Sequence, residues 1–493
     1  MTTPFQAHGA APTTPDGRPI RRRFANRARA QVSAPFQRAM AALGPLASPD
    51  GKIAAGVEWT LSFVSLLLYV FVVHSFRLNV AAIAILVALG GVFLQGKEIR
   101  FPAPLVWFGV FWVWAFATSF VSPWPAVSRE ATIEFAKIGV IFFVAYNAIQ
   151  SRAQLRFFVF WTLAMYALFP VRGTLFNFLF GIAEFGRYAW NFVFENPNDL
   201  AAYTLLIIGW CIAMSRSRQA KWIRLAALGG VLVLSFIVVI TQSRGGMIAL
   251  VVMWAVTFWR EITRMRLKTW LLLGAVGVVL AVMAPDSVWE RISNMRHLQS
   301  TETLGQADSS AEQRFLIWRV ASRVIKDNPV IGVGFGAYPS ANSVYVGQSR
   351  ELAFAAGKRD THSMYLNVLA ETGVIGLVLF GGIIVSTLLL LSRAIRQMKS
   401  AGMDELIQFV ALRAAFVGFL FAAIFGTVHR VSFMYLFIAS ATLAAEFALR
   451  PQLVRLHTAG VRAVARHVAR SQHESSATEE KSQHRVTRIT TCS

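Results

Sequence analysis

Two cysteines in 493 residues are too few for a disulfide framework, and their placement removes even a single bridge. Cys211 sits inside a long apolar run and Cys492 in a polar tail, at depths too different to meet, and neither has metal-ligand spacing. Charge is scarce too: Asp, Glu, Lys and Arg make up 15% of the chain against 55% hydrophobic residues, with mean hydropathy +0.52. That is too little polar surface to coat a water-soluble globule of this size, so the bilayer must be the solvent. Acidic residues are the scarcest, 25 against 48 Lys and Arg, which leaves a net charge of +23. The basic residues lie in short clusters between apolar runs and in the two tails, the distribution of a topology signal; nucleic acid is not an expected partner. No P-loop, zinc motif or paired Asp cluster of the kind that holds a divalent ion on a sugar-nucleotide is present, so neither a metal nor another cofactor is expected.

What is there is a series of apolar runs. A hydrocarbon core of about 30 Å takes about 20 residues of helix. Runs near that length fall at 59–76, 78–94, 103–121, 133–149, 157–171, 200–214, 225–241, 247–259, 270–284, 366–391, 409–428 and 432–449. The fold class expected is all-α, a polytopic membrane protein of about 12 transmembrane helices with one long periplasmic loop carrying short helices. The expected organisation is a basic, disordered tail over 1–50, nine spans over 51–284, the long loop over 285–361, three spans over 362–449 and a second basic tail over 450–493.

Basic residues alternate between the two faces. Lys97, Arg100, Arg152, Arg156, Arg216, Arg218, Lys221 and Arg224 fall in loops of one side, with more of their kind further on, whereas the short loops opposite hold only Arg77, Arg129, Arg172, Arg187, Arg244 and Arg430. The positive-inside rule then puts both termini in the cytoplasm of a bacterial cell, the chain in the inner membrane and the long loop outside it. A connection of that length is usually functional. Within it, Ser309 and Ser310 precede Glu312 and Gln313 by three residues, a doubled capping-box pattern that predicts a helix to about Asp327, stopped by Asn328-Pro329. Ile317, Val320, Ala321 and Val324 share one face, and Arg319, Arg323 and Lys326 another. Such a helix either lies on the membrane or over a cavity, or packs on the rest of the loop.

The stretch Gly332-Val-Gly334-Phe-Gly336-Ala337 formally satisfies a dinucleotide-binding pattern. That pattern needs a strand before it and a helix N-terminus after it, whereas here a helix and Pro329 precede and Tyr338-Pro339 follows. The glycines are read as turn-formers beside the membrane. In the spans, Glu134 and Lys137 are spaced as a local pair, and Glu371 must be buried and hydrogen-bonded, as a structural group.

Several motifs on the loop side stand in a definite order. Arg187 precedes Asn196-Pro197-Asn198; Ser243-Arg244-Gly245 forms a hairpin between two spans; Asn328-Pro-Val-Ile-Gly-Val-Gly lies in the long loop; His362-Ser-Met-Tyr-Leu and Glu371-Thr-Gly-Val-Ile-Gly follow. Taken singly, such arginines snorkel to headgroups and such a histidine caps a helix. In this order, over roughly 187–376, they resemble the O-antigen ligase and polymerase superfamily. The resemblance implies metal-independent transfer of a glycan from an undecaprenyl-diphosphate carrier to an acceptor at the periplasmic face. That acceptor is lipid A core, a growing polysaccharide or another hydroxyl, and membrane lipids are the remaining partners. By the same resemblance Arg187 and Arg244 match the family's diphosphate-engaging arginines and His362 its essential histidine. Asn198 and Arg314 join the arginines as substrate-binding candidates.

The chemistry suits these residue types. Guanidinium groups neutralise a departing diphosphate bidentately, in place of a metal, and a neutral imidazole accepts the proton of the attacking hydroxyl. His362 is expected in the first turn of a helix, where the dipole, Lys358 and Arg359 disfavour its protonation. With no carboxylate pair to form a covalent intermediate, a single displacement inverts the anomeric centre. The rival reading is a secondary transporter or flippase of lipid-linked glycan, which calls for a repeat and midplane polar groups. The two halves are unequal, and the polar residues gather at span ends.

Overall fold

A computed structural model describes residues 46, 52–76, 80–183, 187–191, 194–258, 309–347, 357, 359–400 and 406–449. Their regular structure is helical, with no strand among them. In chain order the helices are α1 (Leu61–Ser75), α2 (Ala81–Leu94), α3 (Ala103–Val121), α4 (Pro125–Ala148), α5 (Arg152–Leu179), α6 (Pro197–Ser215), α7 (Lys221–Ile240) and α8 (Arg244–Phe258). After them come α9 (Ser309–Asp327), α10 (Tyr338–Gly347), α11 (Met364–Ser400), α12 (Leu406–Ala422) and α13 (Ser432–Leu449). Among the described residues eight helices are long and apolar enough to cross a membrane, and α1, α2 and α8 are shorter apolar helices. Each of these coincides with an expected run; the run at 270–284, Lys358 and most of both tails lie outside the described residues. Residues 44–446 form one compact unit, which carries everything below.

Helix α6 is the centre of this unit. In its most apolar window 89% of residues are buried, against 39% for α3, because α7 and α12 pack along it and α8 and α5 close the remaining sides. A span covered by protein rather than lipid is the rigid place on which to mount a polar N-terminus. Helix α5 holds its hydrogen bonding past Pro170, which has no N–H to give, by widening to a π turn over Ala167–Val171. At one end of the bundle Arg100 donates to the carbonyls of Tyr146 (3.1 Å) and Ile149 (2.9 Å), a cation on the last free carbonyls of α4.

Loop helix α9 has the bounds the capping pattern predicts. Its apolar face is not laid on lipid. Ile317, Val320, Ala321 and Val324 are buried in a small core with Val333, Ala337, Tyr338, Ala341 and Ala370, so the helix packs on the rest of the loop and on α11, while Arg319, Arg323 and Lys326 are exposed.

The largest departure from expectation is in α11, which is broken at Gly373 (φ 66°, ψ −172°). This is backbone only glycine adopts readily, and a Cβ there would strike the carbonyl of Val330. The freed groups find partners in the loop and in α3: Val333 N–H donates to Ala370 O (3.0 Å), Gly334 N–H to Glu371 O (2.9 Å) and, from α3, Trp114 Nε1 to Thr372 O (2.9 Å), while Val374 N–H donates to Pro329 O (2.9 Å). A break inside a membrane is tolerated when protein fills it, and here the glycine-rich loop does so. The turn-forming role expected of those glycines holds, with positive φ at Gly332, Gly334 and Gly336. Gly373→Ala is expected to cost about 1–3 kcal/mol from backbone strain alone. A thermal unfolding midpoint in detergent equal to wild type would show that the loop does not clamp the break.

Candidate functional site

The long-loop end of the bundle gathers the candidate residues. Helix α7 ends at Ile240 and α8 begins at Arg244, so three residues turn the chain, with Gln242 at φ 51°. Ser243 caps α8, its Oγ accepting from Gly246 N–H (3.2 Å). Asn196 caps α6 in the same manner, accepting from Asn198 N–H (2.9 Å), with Pro197 in the first turn. The two caps are joined. Asn198 Oδ1 accepts from Ser243 Oγ (2.8 Å) and from Arg187 Nη2 (2.9 Å), and Arg187 Nε donates to Thr241 O (3.1 Å). Arg187, Asn198 and the Ser243-Arg244 turn are therefore one hydrogen-bonded corner. Asn198 stands behind the arginine, its carbonyl oxygen already used twice.

Helix α9 brings Arg314 to the same place. Burial lowers its pKa first and the nearby Arg244 guanidinium next, while Asp199 opposes both. Guanidinium groups held near one another are the physical signature of a place where an anion relieves repulsion. The α9 end is tied down by Trp318, whose Nε1 donates to Thr361 O (2.9 Å) and whose ring stacks near Phe425 (6.4 Å between centroids). Phe425 lies in turn against Gly245, next to Arg244.

His362 lies two residues before α11 begins, not in its first turn as expected, and its φ is 52°. Its neighbours impose this left-handed conformation. Thr361 is fully buried, its Oγ1 donating to Ser363 O (2.8 Å) and accepting from Ser363 N–H (3.2 Å), and its N–H donates to Asp360 Oδ1 (2.9 Å). Ser363 is buried as well, and its carbonyl accepts from Asn367 N–H (2.9 Å). The imidazole is half-buried between these anchors. Burial is the main cause that lowers its pKa; Arg314 and then Arg359 act the same way, with Asp360 opposing. The direction agrees with the sequence reading, and Arg359 contributes as expected, but burial and Arg314 are the larger causes. Strained backbone at Gln242 and at His362 is consistent with a site that the surrounding structure over-determines.

Two carboxylates at the site escaped the sequence reading. Asp199 lies near Arg314 and Asp360, and Asp360 near His362, and each directly follows or closely precedes a singled-out residue, which was the available signal. Glu371 is fully buried, as expected, and Arg430 is its partner at 2.8 Å and 3.0 Å, with a further hydrogen bond from the Gly336 backbone. The Arg430 guanidinium also lies over the Phe335 ring, 4.9 Å from its centroid, and Nε donates to His429 Nε2 (3.3 Å). This pair locks the loop and the α12–α13 connection onto broken α11, the structural role assigned to Glu371. Glu134 and Lys137 form the local pair expected of them, at 2.5 Å. Among the described residues no group of three or more His, Cys, Asp or Glu is placed to hold a metal.

No curated protein matches the chain. Residues 229–381, from within α7 through the Ser243-Arg244 turn, Arg314, the clamping loop and His362 into α11, match the family model described as O-antigen ligase. That match supports the resemblance to the O-antigen ligase and polymerase superfamily over this segment of the chain.

Proposed function

We propose that the protein transfers a glycan from an undecaprenyl-diphosphate carrier to an acceptor hydroxyl at the periplasmic face of a bacterial inner membrane, as a ligase or polymerase. The observation that carries this reading is the convergence of Arg187, Arg244 and Arg314 with His362 at one end of the bundle, from four separated stretches of chain. Arg244 and Arg314 engage the diphosphate, and Arg187 joins them from its hydrogen-bonded corner. Charge building on the leaving phosphate is met by fixed cations in a partly dehydrated place, where each contact is strong. Asn198 orients Arg187 and the Ser243 turn, and so acts as a positioning residue.

His362 is the general base. Its lowered pKa keeps it neutral at physiological pH, able to take the acceptor proton as the hydroxyl oxygen attacks the anomeric carbon and the carrier diphosphate leaves. One displacement inverts the configuration, whereas a double displacement through Asp199 or Asp360 would retain it, so the anomeric configuration of the product separates the two. No divalent ion is required, since the arginines neutralise the leaving group; activity should persist in excess EDTA, and loss restored by Mg²⁺ would contradict this.

A discontinuous span is also a feature of transporters, where unwound backbone binds the cargo. In α11 the freed groups are already bonded to the protein's own loop and to Trp114 of α3, which favours a fixed scaffold over a transport site. The orientation is tested by phosphatase fusions, active after Gln306 and inactive after Ser217; the reverse would move the site to the cytoplasm. Deletion followed by analysis of surface polysaccharide tests the activity. Full-length chains stranded on the carrier identify a ligase, single repeat units a polymerase, and unchanged polysaccharide and carrier pools overturn the reading.

A further inference from the structure

A second opening lies apart from the arginine corner. It is a groove of about 700 Å³ between α1, α4, the Gly336 turn and the start of α13. One face of α4 lines it with Glu130, Glu134 and Lys137 at i, i+4 and i+7, and Arg430 and Ser432 face them from the other wall. Ionisable residues repeated on one face of a spanning helix are costly toward lipid and mark a polar path. The remaining wall is apolar, with Val127, Phe135, Ile138 and Ile141, so the groove is polar along one side and greasy along the other.

That division selects its occupant. Lys137 and Arg430 are already paired with Glu134 and Glu371, so the wall lacks the convergent guanidinium groups that would make it a second diphosphate site. Carboxylates and cations side by side, with a hydroxyl and aromatic rings nearby, recognise instead the many hydroxyls of a sugar. The apolar wall gives an attached lipid a way back to the bilayer. The groove floor is Arg430, whose partner Glu371 lies on the same helical segment that His362 precedes, so a saccharide seated there is a few sugar rings from the imidazole.

Resting on the transfer reading, we propose that this groove binds the saccharide part of a membrane-anchored glycolipid acceptor, while the arginine corner takes the donor. The full chain, purified in detergent, is tested with two acceptors, lipid A core and a carrier-linked repeat, at fixed donor. Val127→Trp, which narrows the groove, and Lys137→Ala, which removes a polar contact at an exposed position, should each raise acceptor KM at least tenfold. Donor KM and kcat at saturating acceptor should stay within about twofold of wild type. Whichever acceptor shows the effect identifies the source of the glycolipid. Unchanged acceptor KM in both variants overturns the proposal, as does an equal rise in donor KM. Binding of fluorescent lipid A core and of a fluorescent carrier-linked repeat without donor separates this from failure of the transfer reading. If no transfer occurs, retention of either by wild type and its loss in both variants still supports the groove, and no binding of either by wild type overturns it.

Discussion

His362→Ala should lower glycan transfer by at least about a hundredfold, within the range attributed to general-base catalysis, while the protein remains folded and binds the carrier-linked donor as wild type does. Binding survives because it is assigned to Arg187, Arg244 and Arg314, and folding survives because the anchors of this segment are Thr361 and Ser363 rather than the imidazole. Alanine retains the Cβ, so the left-handed strain at this position is little changed. The pH profile carries a second signature. A base works when deprotonated, and burial with Arg314 lowers the pKa, so the acid limb of kcat should lie below the ordinary histidine value of about 6.5. Full transfer by the variant, or an acid limb above that value, would remove His362 from the chemistry.

Arg244→Lys should lose most activity although the charge is kept, by about tenfold to a hundredfold in kcat/KM, because an ammonium cannot reproduce two parallel hydrogen bonds to a diphosphate. Arg129→Lys is the control. Arg129 is exposed and donates to the Pro125 carbonyl (3.2 Å) in its own helix, so the change there should be silent. The Arg244 variant should also weaken donor binding, in contrast to His362→Ala. Equal tolerance at both positions would make Arg244 a headgroup anchor.

Which parts of this were legible in the sequence follows from how local each cause is. Apolar length and helix caps act within one turn or one run, so the spans and the bounds of α9 could be read directly. The corner of Arg187, Asn198 and Arg244 was legible only as an order of motifs, since hydrogen bonds across 11 to 54 residues leave no spacing rule. The break at Gly373 was hidden because Glu-Thr-Gly-Val-Ile-Gly reads as uninterrupted helix; a loop more than 30 residues upstream makes the break affordable. His362 was expected in the first turn of α11 and lies two residues before it, because the buried Thr361–Ser363 hydrogen bonds hold the chain there. The need of Glu371 for a partner was plain from its depth, yet the choice of Arg430 depends on how α11 and the α12–α13 connection meet.

The central claim is that a covalent bond to the glycan is moved at the arginine and histidine corner. The most direct test reconstitutes the purified protein in vesicles with a carrier-linked glycan and an acceptor glycolipid, both labelled, and resolves the products by mass spectrometry. The account predicts glycan joined to the acceptor through an inverted anomeric centre, with free carrier diphosphate released in equal amount. Glycan still attached to its carrier but moved across the vesicle membrane would contradict it.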